Sequence, residues 1–241
     1  MIDLSVVIPI HNERANLPRL LAGLREECAR WDFAHEVVAV DDGSSDESPQ
    51  ILAEAAADFT ALRIVSRTHN GGMGAALMDG TREARGEMCV WMMADLSDRL
   101  ADIPVLYRKL REGYDLVIAS RAMPGGSYGK LGQVKARLSN AYSWVTRRLF
   151  GIPAHDITNA FRGMRRDLPL RAGLTSRDFA ISPELAIKAR RIGARITEIP
   201  TVYSYRQNGD SHFKIFRMGW KYARLYVLVL ARPRGRIGES S

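Results

Sequence analysis

The chain has 241 residues, 46% of them hydrophobic and 26% charged, a balance that gives a folded domain with a sizeable core and excludes a disordered chain. With 35 Lys and Arg against 27 Asp and Glu, the net charge is +8 and the pI about 9.8, so anionic partners are expected: nucleic acid, anionic lipid or phosphorylated ligands. Cys28 and Cys89 show no CxxC or CxxxH spacing, which argues against a zinc site or a disulfide framework and for a reducing compartment.

Met1-Ile2-Asp3 leads directly into a strand pattern, leaving no room for a signal peptide, and no apolar run reaches the ~20 residues that span a bilayer. A cytoplasmic protein, peripheral to the inner face of a membrane, is the expectation. The first half alternates. Strands are predicted over Leu4–Ile10, Glu36–Val40, Ala61–Ser66, Glu87–Ala94 and Asp115–Ser120, and helices over Arg14–Arg30, Asp46–Asp58, Gly72–Arg85 and Asp102–Glu112. In the first helix Leu17, Leu20, Leu21 and Leu24 carry the helical spacing. Apolar strands separated by helices imply a doubly wound, mostly parallel α/β sheet, with ligands beyond the carboxyl ends of its strands.

After residue 121 the alternation ends. Met123–Gly132 reads as a glycine-rich mobile loop and Val134–Phe150 as a basic amphipathic helix. Pro183–Ile192 reads as a further helix, Arg195–Ile199 as a strand and Phe213–Ala231 as a last helix. In that last segment Lys214, Arg217, Lys221 and Arg224 fall on one helical stripe, among Phe216, Trp220, Tyr222 and Tyr226. Basic residues, interfacial aromatics and an apolar run suit a helix lying in lipid headgroups. The chain therefore divides into a domain over 1–212 and a membrane-associating tail over 213–241.

The strand ends carry the chemistry. The first ends in Pro9-Ile10-His11-Asn12-Glu13, the second in Asp41-Asp42-Gly43-Ser44-Ser45-Asp46, and the fourth in Ala94-Asp95-Leu96-Ser97-Asp98. A parallel sheet gathers all three on one edge. So many carboxylates in a basic chain call for a compensating cation, and a Mg or Mn ion holding a diphosphate is the economical one. Taken singly, Asp-Asp-Gly-Ser is also an ordinary strand-to-turn sequence in which Ser45 or Asp46 caps the next helix. The His69–Gly74 loop is a weak phosphate signal. Neither GxGxxG after the first strand nor GxxxxGK[ST] occurs.

In order and with compatible spacing, Ser5–Glu13, Val40–Asp46, Asn70–Ala75, Ala119–Arg121, Asp156–Arg162 and Glu198–Val202 resemble the inverting family-2 glycosyltransferases. So do Arg206, Gly209, Ser211 and Lys214, and the likeness is to the dolichyl-phosphate or polyprenyl-phosphate mannose/glucose synthase branch. The resemblance implies a GT-A-type fold and a nucleotide diphosphate sugar donor held by Pro9, Glu13 and Asp42, with His11, Asp41 and Gly74 beside them. It also implies a polyprenyl phosphate acceptor. Arg121, Lys135 or Arg137, Ser139, Arg206 and Lys214 are similar to acceptor-phosphate contacts. Asp95 corresponds to the second acid of the family's Asp-x-Asp metal motif. Where the first acid belongs, this chain has Met93, and a thioether is a poor ligand for a hard cation. Either Asp98 supplies the missing carboxylate or Asp95 acts alone with diphosphate and water. Asp95, Asp98 and Arg121 are thus the catalytic candidates, with Asp95 and Asp98 the metal candidates.

A phosphate monoester is already largely dianionic at neutral pH and needs cations to place it, whereas a hydroxyl acceptor needs a base, for which His11 or Asp98 is available. Three other readings remain: a family-2 transferase with a hydroxyl acceptor, a noncatalytic nucleotide-sugar binder, and nucleic-acid binding. The last rests on net charge alone and is not expected, because no recognised DNA or RNA module is present.

Overall fold

The computed structural model describes residues 1–129, 133–204 and 226. The apolar runs form strands β1 (Leu4–Ile10), β2 (His35–Asp41), β3 (Leu62–Ser66), β4 (Met88–Trp91), β5 (Leu116–Ser120), β6 (Arg162–Arg165) and β7 (Ile196–Pro200) of one sheet. Its order is β3-β2-β1-β4-β6-β5-β7. Register is set by whole strands: Leu4 lies opposite His35 and Ile10 opposite Asp41, so β1 and β2 end together. Among the described residues β6 alone runs against its neighbours, antiparallel to both β4 and β5.

The helices are α1 (Leu17–Cys28), α2 (Ser48–Ala56), α3 (Met73–Glu83), α4 (Ile103–Arg111), α5 (Gln133–Phe150), α6 (Leu168–Arg171) and α7 (Ile181–Arg191). Four of them, α1, α2, α4 and α6, open on a proline in the first turn, where its fixed φ suits a helix and its missing N–H is not needed. This explains why α1 and α2 start later than the predicted Arg14 and Asp46. Leu4, Val6, Ile8 and Ile10 bury one sheet face beneath α1 and α4, and Val7, Val38 and Val40 bury the other beneath α3 and α7. Both faces are covered, as continuous apolar strands require. At about 1.5–3 kcal/mol per fully buried aliphatic side chain, these two layers are the main drive to fold.

Three expectations need correction. The fourth strand is four residues long, not the eight of Glu87–Ala94, because the chain leaves the ladder after Met92 N–H meets Val7 O at 3.2 Å. The next N–H, that of Met93, is captured by the Asp98 carboxylate at 2.8 Å. β6 and α6 were not predicted; Arg162-Gly163-Met164-Arg165 has too few apolar residues to look like a central strand. The 123–129 stretch is a loop, and it is tied down: Ser127 N–H donates to Thr201 O at 3.0 Å and Tyr203 N–H to Ser127 O at 2.9 Å. The 213–241 tail and its helix lie, except for Tyr226, outside the described residues.

Candidate active site

The carboxyl ends of β1, β2, β4 and β5 open on one edge, and because β6 runs the other way the 156–161 loop leading into it arrives there too. Two halves result, a first half on β1 and β2 and a cationic half on β5, with the β4 loop between them.

In the first half Pro9 sits inside β1 opposite Val40, and the backbone beyond turns sharply at Asn12, whose φ is 56°. Asn12 Oδ1 accepts Ser45 N–H at 2.8 Å, locking the β1 end to the turn after β2. His11 Nδ1 lies 3.1 Å from the carbonyl of Asp42, so that nitrogen carries the proton. Glu13 accepts from Asn16 Nδ2 at 2.6 Å, and Asp41 from Ser44 N–H at 3.0 Å. Asp42 is buried and fully engaged: Gly71 N–H and Gly72 N–H donate to its two oxygens at 2.9 Å each, and Arg67 pairs with it.

The glycine loop is shaped by close packing. Gly72 has φ 93°, and a Cβ there would strike Arg177 O; a Cβ on Gly74 would lie 2.6 Å from Ser176 O. Gly74 N–H donates to Arg177 O at 2.9 Å, so this amide holds the 175–177 loop and is not offered to a phosphate. That loop is in turn fixed by Glu184, wholly buried on α7, which accepts from Thr175 N–H (3.0 Å), Thr175 Oγ1 (3.0 Å) and Ser176 N–H (2.8 Å) and pairs with Lys188 at 2.6 Å.

Between the halves, Asp95 folds the β4 loop by accepting Ser97 N–H at 3.1 Å, with Leu96 at φ 61°. Burial, and next the negative charge of Asp95, push the Asp98 carboxyl up to about 7, against the opposing pull of Met93 N–H and Arg121. An Asp98 carboxyl so disfavoured in its charged form, with Asp95 beside it, fits a divalent cation, which would offset both the burial and the repulsion. Among the described residues no group of three His, Cys, Asp or Glu side chains stands ready to hold a metal. Asp95 and Asp98 thus match a cation that keeps most of its ligands from diphosphate and water.

In the cationic half Arg121 is a fixed clamp. Its Nε donates to Asp156 Oδ2 at 2.6 Å and its Nη2 to Oδ1 at 3.0 Å, and the ring of Tyr128 lies 4.9 Å from the guanidinium carbon. Burial works to raise the Asp156 carboxyl, but the Arg121 charge and hydrogen bonds outweigh it and hold Asp156 below its ordinary value. Arg121 Nη2 also reaches Thr158 Oγ1 at 3.1 Å, and Thr158 shares a 2.6 Å hydrogen bond with Ser139 on α5. Lys135, four residues before Ser139, is on the same side of α5 and partly buried; Arg137 is exposed on another side. The structure thus joins Ser139 to Arg121, sets Lys135 on their side and leaves Arg137 apart. Arg206 and Lys214 lie outside the described residues. Asp156, Thr158, Tyr128, Arg67 and Glu184 were not singled out by role; only Asp156 and Thr158 carried a signal, within the quoted Asp156–Arg162 motif.

Residues 5–169 match the family described as Glycosyl transferase family 2. The chain belongs to this family. Curated relatives of this family-2 chain include undecaprenyl-phosphate 4-deoxy-4-formamido-L-arabinose transferases. That of Pseudomonas aeruginosa (strain LESB58) is 34% identical over 219 residues, covering 90% of this chain and 62% of the relative. That of Klebsiella pneumoniae (strain 342) is 32% identical over 215 residues, covering 89% and 63%. The family-2 chain therefore spans less than two thirds of the length of these relatives. Among solved structures, glucosyl-3-phosphoglycerate synthase from Mycobacterium tuberculosis with Mn2+, UDP and phosphoglyceric acid superposes with a TM-score of 0.70 at 20% identity, over 99% of this chain and 80% of that one. The same enzyme with Mg2+ and UDP gives 0.68 at 19% identity, over 99% and 81%. At that identity the likeness establishes the fold, which is GT-A.

Proposed function

We propose that this chain transfers a glycosyl group, with inversion, from a nucleoside diphosphate sugar to a polyprenyl phosphate at a membrane surface, assisted by Mg or Mn. The observation that carries the reading is the buried Arg121 clamp beside Asp98, bonded through Thr158 to Ser139, with Lys135 on the Ser139 side of α5. A cationic, hydroxyl-lined wall facing a carboxylate pair is what an anionic acceptor and a metal-held anionic donor require of one site. The curated relatives are named for transfer to undecaprenyl phosphate, and the solved neighbours were crystallised with UDP and Mn2+ or Mg2+; both support the reading.

The chemistry asked of the protein is positioning and charge compensation. A dianionic phosphate oxygen attacks the anomeric carbon in line, and the nucleoside diphosphate leaves with the bonding pair. No general base is needed, so His11, whose Nδ1 proton is committed to Asp42 O, serves to shape the donor pocket. The cation, held by Asp95 and Asp98, would offset the charge that develops on the leaving diphosphate. Asp42, tied to Gly71, Gly72 and Arg67, makes the rigid floor against which a nucleoside is held. Among the described residues no helix is long and apolar enough to cross a membrane.

The test is transfer of label from UDP- or GDP-sugars into an organic-extractable polyprenyl phosphate with Mg2+ or Mn2+, with Asp95→Asn as control. Metal-dependent transfer lost in the variant supports the reading. Metal-dependent donor hydrolysis without transfer points to a hydroxyl acceptor, and donor binding with neither reaction points to a noncatalytic binder.

A further inference from the structure

The hydroxyl groups around Arg121 form a chain in which each proton has one place to go. Asp156, kept charged against burial by Arg121, only accepts. Thr158 has one hydroxyl proton and gives it to Asp156 Oδ1 at 3.0 Å, while its oxygen receives Arg121 Nη2 at 3.1 Å. The 2.6 Å bond between Ser139 Oγ and Thr158 Oγ1 is then made with the serine's proton. Ser139 thus spends its single donor on Thr158 and has only lone pairs left, which repel a phosphate oxygen.

Tyr128 stands at the next place in this chain. Its ring centre lies 4.9 Å from the Arg121 guanidinium carbon, and its hydroxyl is 3.5 Å from Ser139 Oγ and donates to Asn140 Oδ1 at 2.6 Å. The loop after β5 brings it there. A Cβ at Gly126 would strike Ser120 O and one at Gly129 would strike Tyr203 O, so only glycine lets the loop lie this close to β5 and to the segment after β7. Burial, and next the charge of Asp156, push the Tyr128 phenol above its ordinary value, so it stays a neutral donor at neutral pH.

We infer that Tyr128 donates its hydroxyl proton to the acceptor phosphate, and that Ser139 serves instead to orient Thr158. The inference rests on the polyprenyl-phosphate reading of the site. The cost of release separates the two hydroxyls. Asn140 is exposed, so water takes the tyrosine's place on its amide oxygen when the proton turns to a phosphate. Releasing the serine would instead break a 2.6 Å bond to the threonine that Arg121 itself holds. A hydrogen bond to a dianionic phosphate is also stronger than one to a neutral amide, so exchange away from Asn140 runs downhill. Arg121 spends Nε and Nη2 on Asp156 and Thr158, which leaves Nη1 for the phosphate charge, and the ring over that guanidinium carries the hydroxyl.

The experiment is titration calorimetry on the full chain loaded with Mn2+ and UDP, with geranyl phosphate and methyl phosphate as ligands. Tyr128→Phe keeps the ring over Arg121 and is expected to weaken both ligands about tenfold or more, with melting temperature and UDP affinity unchanged. Asn140→Ala frees the same hydroxyl and is expected to tighten both about twofold. Equal affinity of Tyr128→Phe and the wild-type chain overturns the inference. So does a loss confined to Ser139→Ala, which would make the serine the donor. A loss in Asn140→Ala as large as that in Tyr128→Phe would make their bond a brace between loop and helix, and again overturns it. If methyl phosphate binds as tightly as geranyl phosphate and no polyprenyl phosphate receives sugar, while the Tyr128→Phe loss persists, the lipid reading fails and Tyr128 keeps its role. If the wild-type chain binds neither ligand, both are wrong.

Discussion

Asp156→Asn tests whether Arg121 is held as firmly as the site requires. Asp156 is fully buried and accepts from Arg121 Nε (2.6 Å), Nη2 (3.0 Å) and backbone N–H (3.2 Å), from Thr158 Oγ1 (3.0 Å) and from Asn159 N–H (3.2 Å). The amide keeps the shape but cancels the charge and turns one acceptor into a donor facing donors. The guanidinium, its side chain only 9% exposed, is left without a counter-charge. Breaking one side of a buried pair costs about 3–5 kcal/mol, which for a chain of this size lowers Tm on the order of 10 °C. The surface pair Arg25–Asp58, 46% and 66% exposed, gives the contrast: Asp58→Asn should cost far less, because water screens the pair. Urea and thermal melts of both variants, with nucleoside diphosphate titration below the melting range, decide it. A loss in Asp156→Asn no larger than in Asp58→Asn would refute the clamp, and an equal loss of donor affinity would refute the division of the site into two halves.

Acidification probes the same pair. Asp156 lies below its ordinary value in the folded chain, so its contribution to stability is present above the unfolded value of about 3.9 and is lost as pH falls through the folded one. Urea midpoints should therefore drop from about pH 4 downward, and Asp156→Asn should flatten that slope. Asp98→Asn and Asp95→Asn should each weaken Mn2+-dependent nucleotide binding about tenfold or more by calorimetry, since in the proposed site each would take one of two protein carboxylates from the cation. Gly74→Ala places a Cβ 2.6 Å from Ser176 O, an overpacking worth about 1–3 kcal/mol, and should lower both Tm and donor affinity. Glu184→Gln leaves Lys188 buried beside an uncharged partner and should loosen the same loop; amide exchange over residues 70–76 should rise while exchange over 156–160 holds.

What the sequence shows clearly is whatever repeats or ends abruptly. The apolar runs of β1, β2 and β5 are legible because both faces of the sheet are covered, so most positions are hydrophobic; the acids at the end of β2 and just beyond β1 stand out as the break in that pattern. β6 is illegible for the converse reason. It is a four-residue strand with Arg at both ends, and its Gly163 lies tight against Leu106 and Leu110 of α4, a fit visible only in three dimensions. Missing it hides how the 156–161 loop reaches the strand ends, and so hides the partner of Arg121. The choice between Lys135 and Arg137 turns on helical spacing, which puts Lys135 on the side of Ser139, and the structure adds that this side meets Thr158 while Arg137 is exposed.

The two halves of the site are joined by charges that look superficial in the sequence. Glu184 and Lys188 are four residues apart on a helix, the ordinary signature of a solvated surface pair, yet Glu184 is wholly buried and fixes the loop that packs on Gly72 and Gly74. Two residues earlier on the same helix, Ser182 O accepts from the buried guanidinium of Arg162 at 2.7 Å, and Arg162 also donates to the carbonyls of Ile157 and Asn159 beside the Asp156 clamp. One end of α7 thus anchors both the glycine loop that is tied to Asp42 and the loop that orients Arg121. In-line transfer needs the attacking oxygen and the anomeric carbon within about 3–3.5 Å, a tolerance that independent loops would not keep. Burying an Arg and a Glu here opposes folding stability, and in the proposed reaction those charges would supply a fixed distance between donor and acceptor.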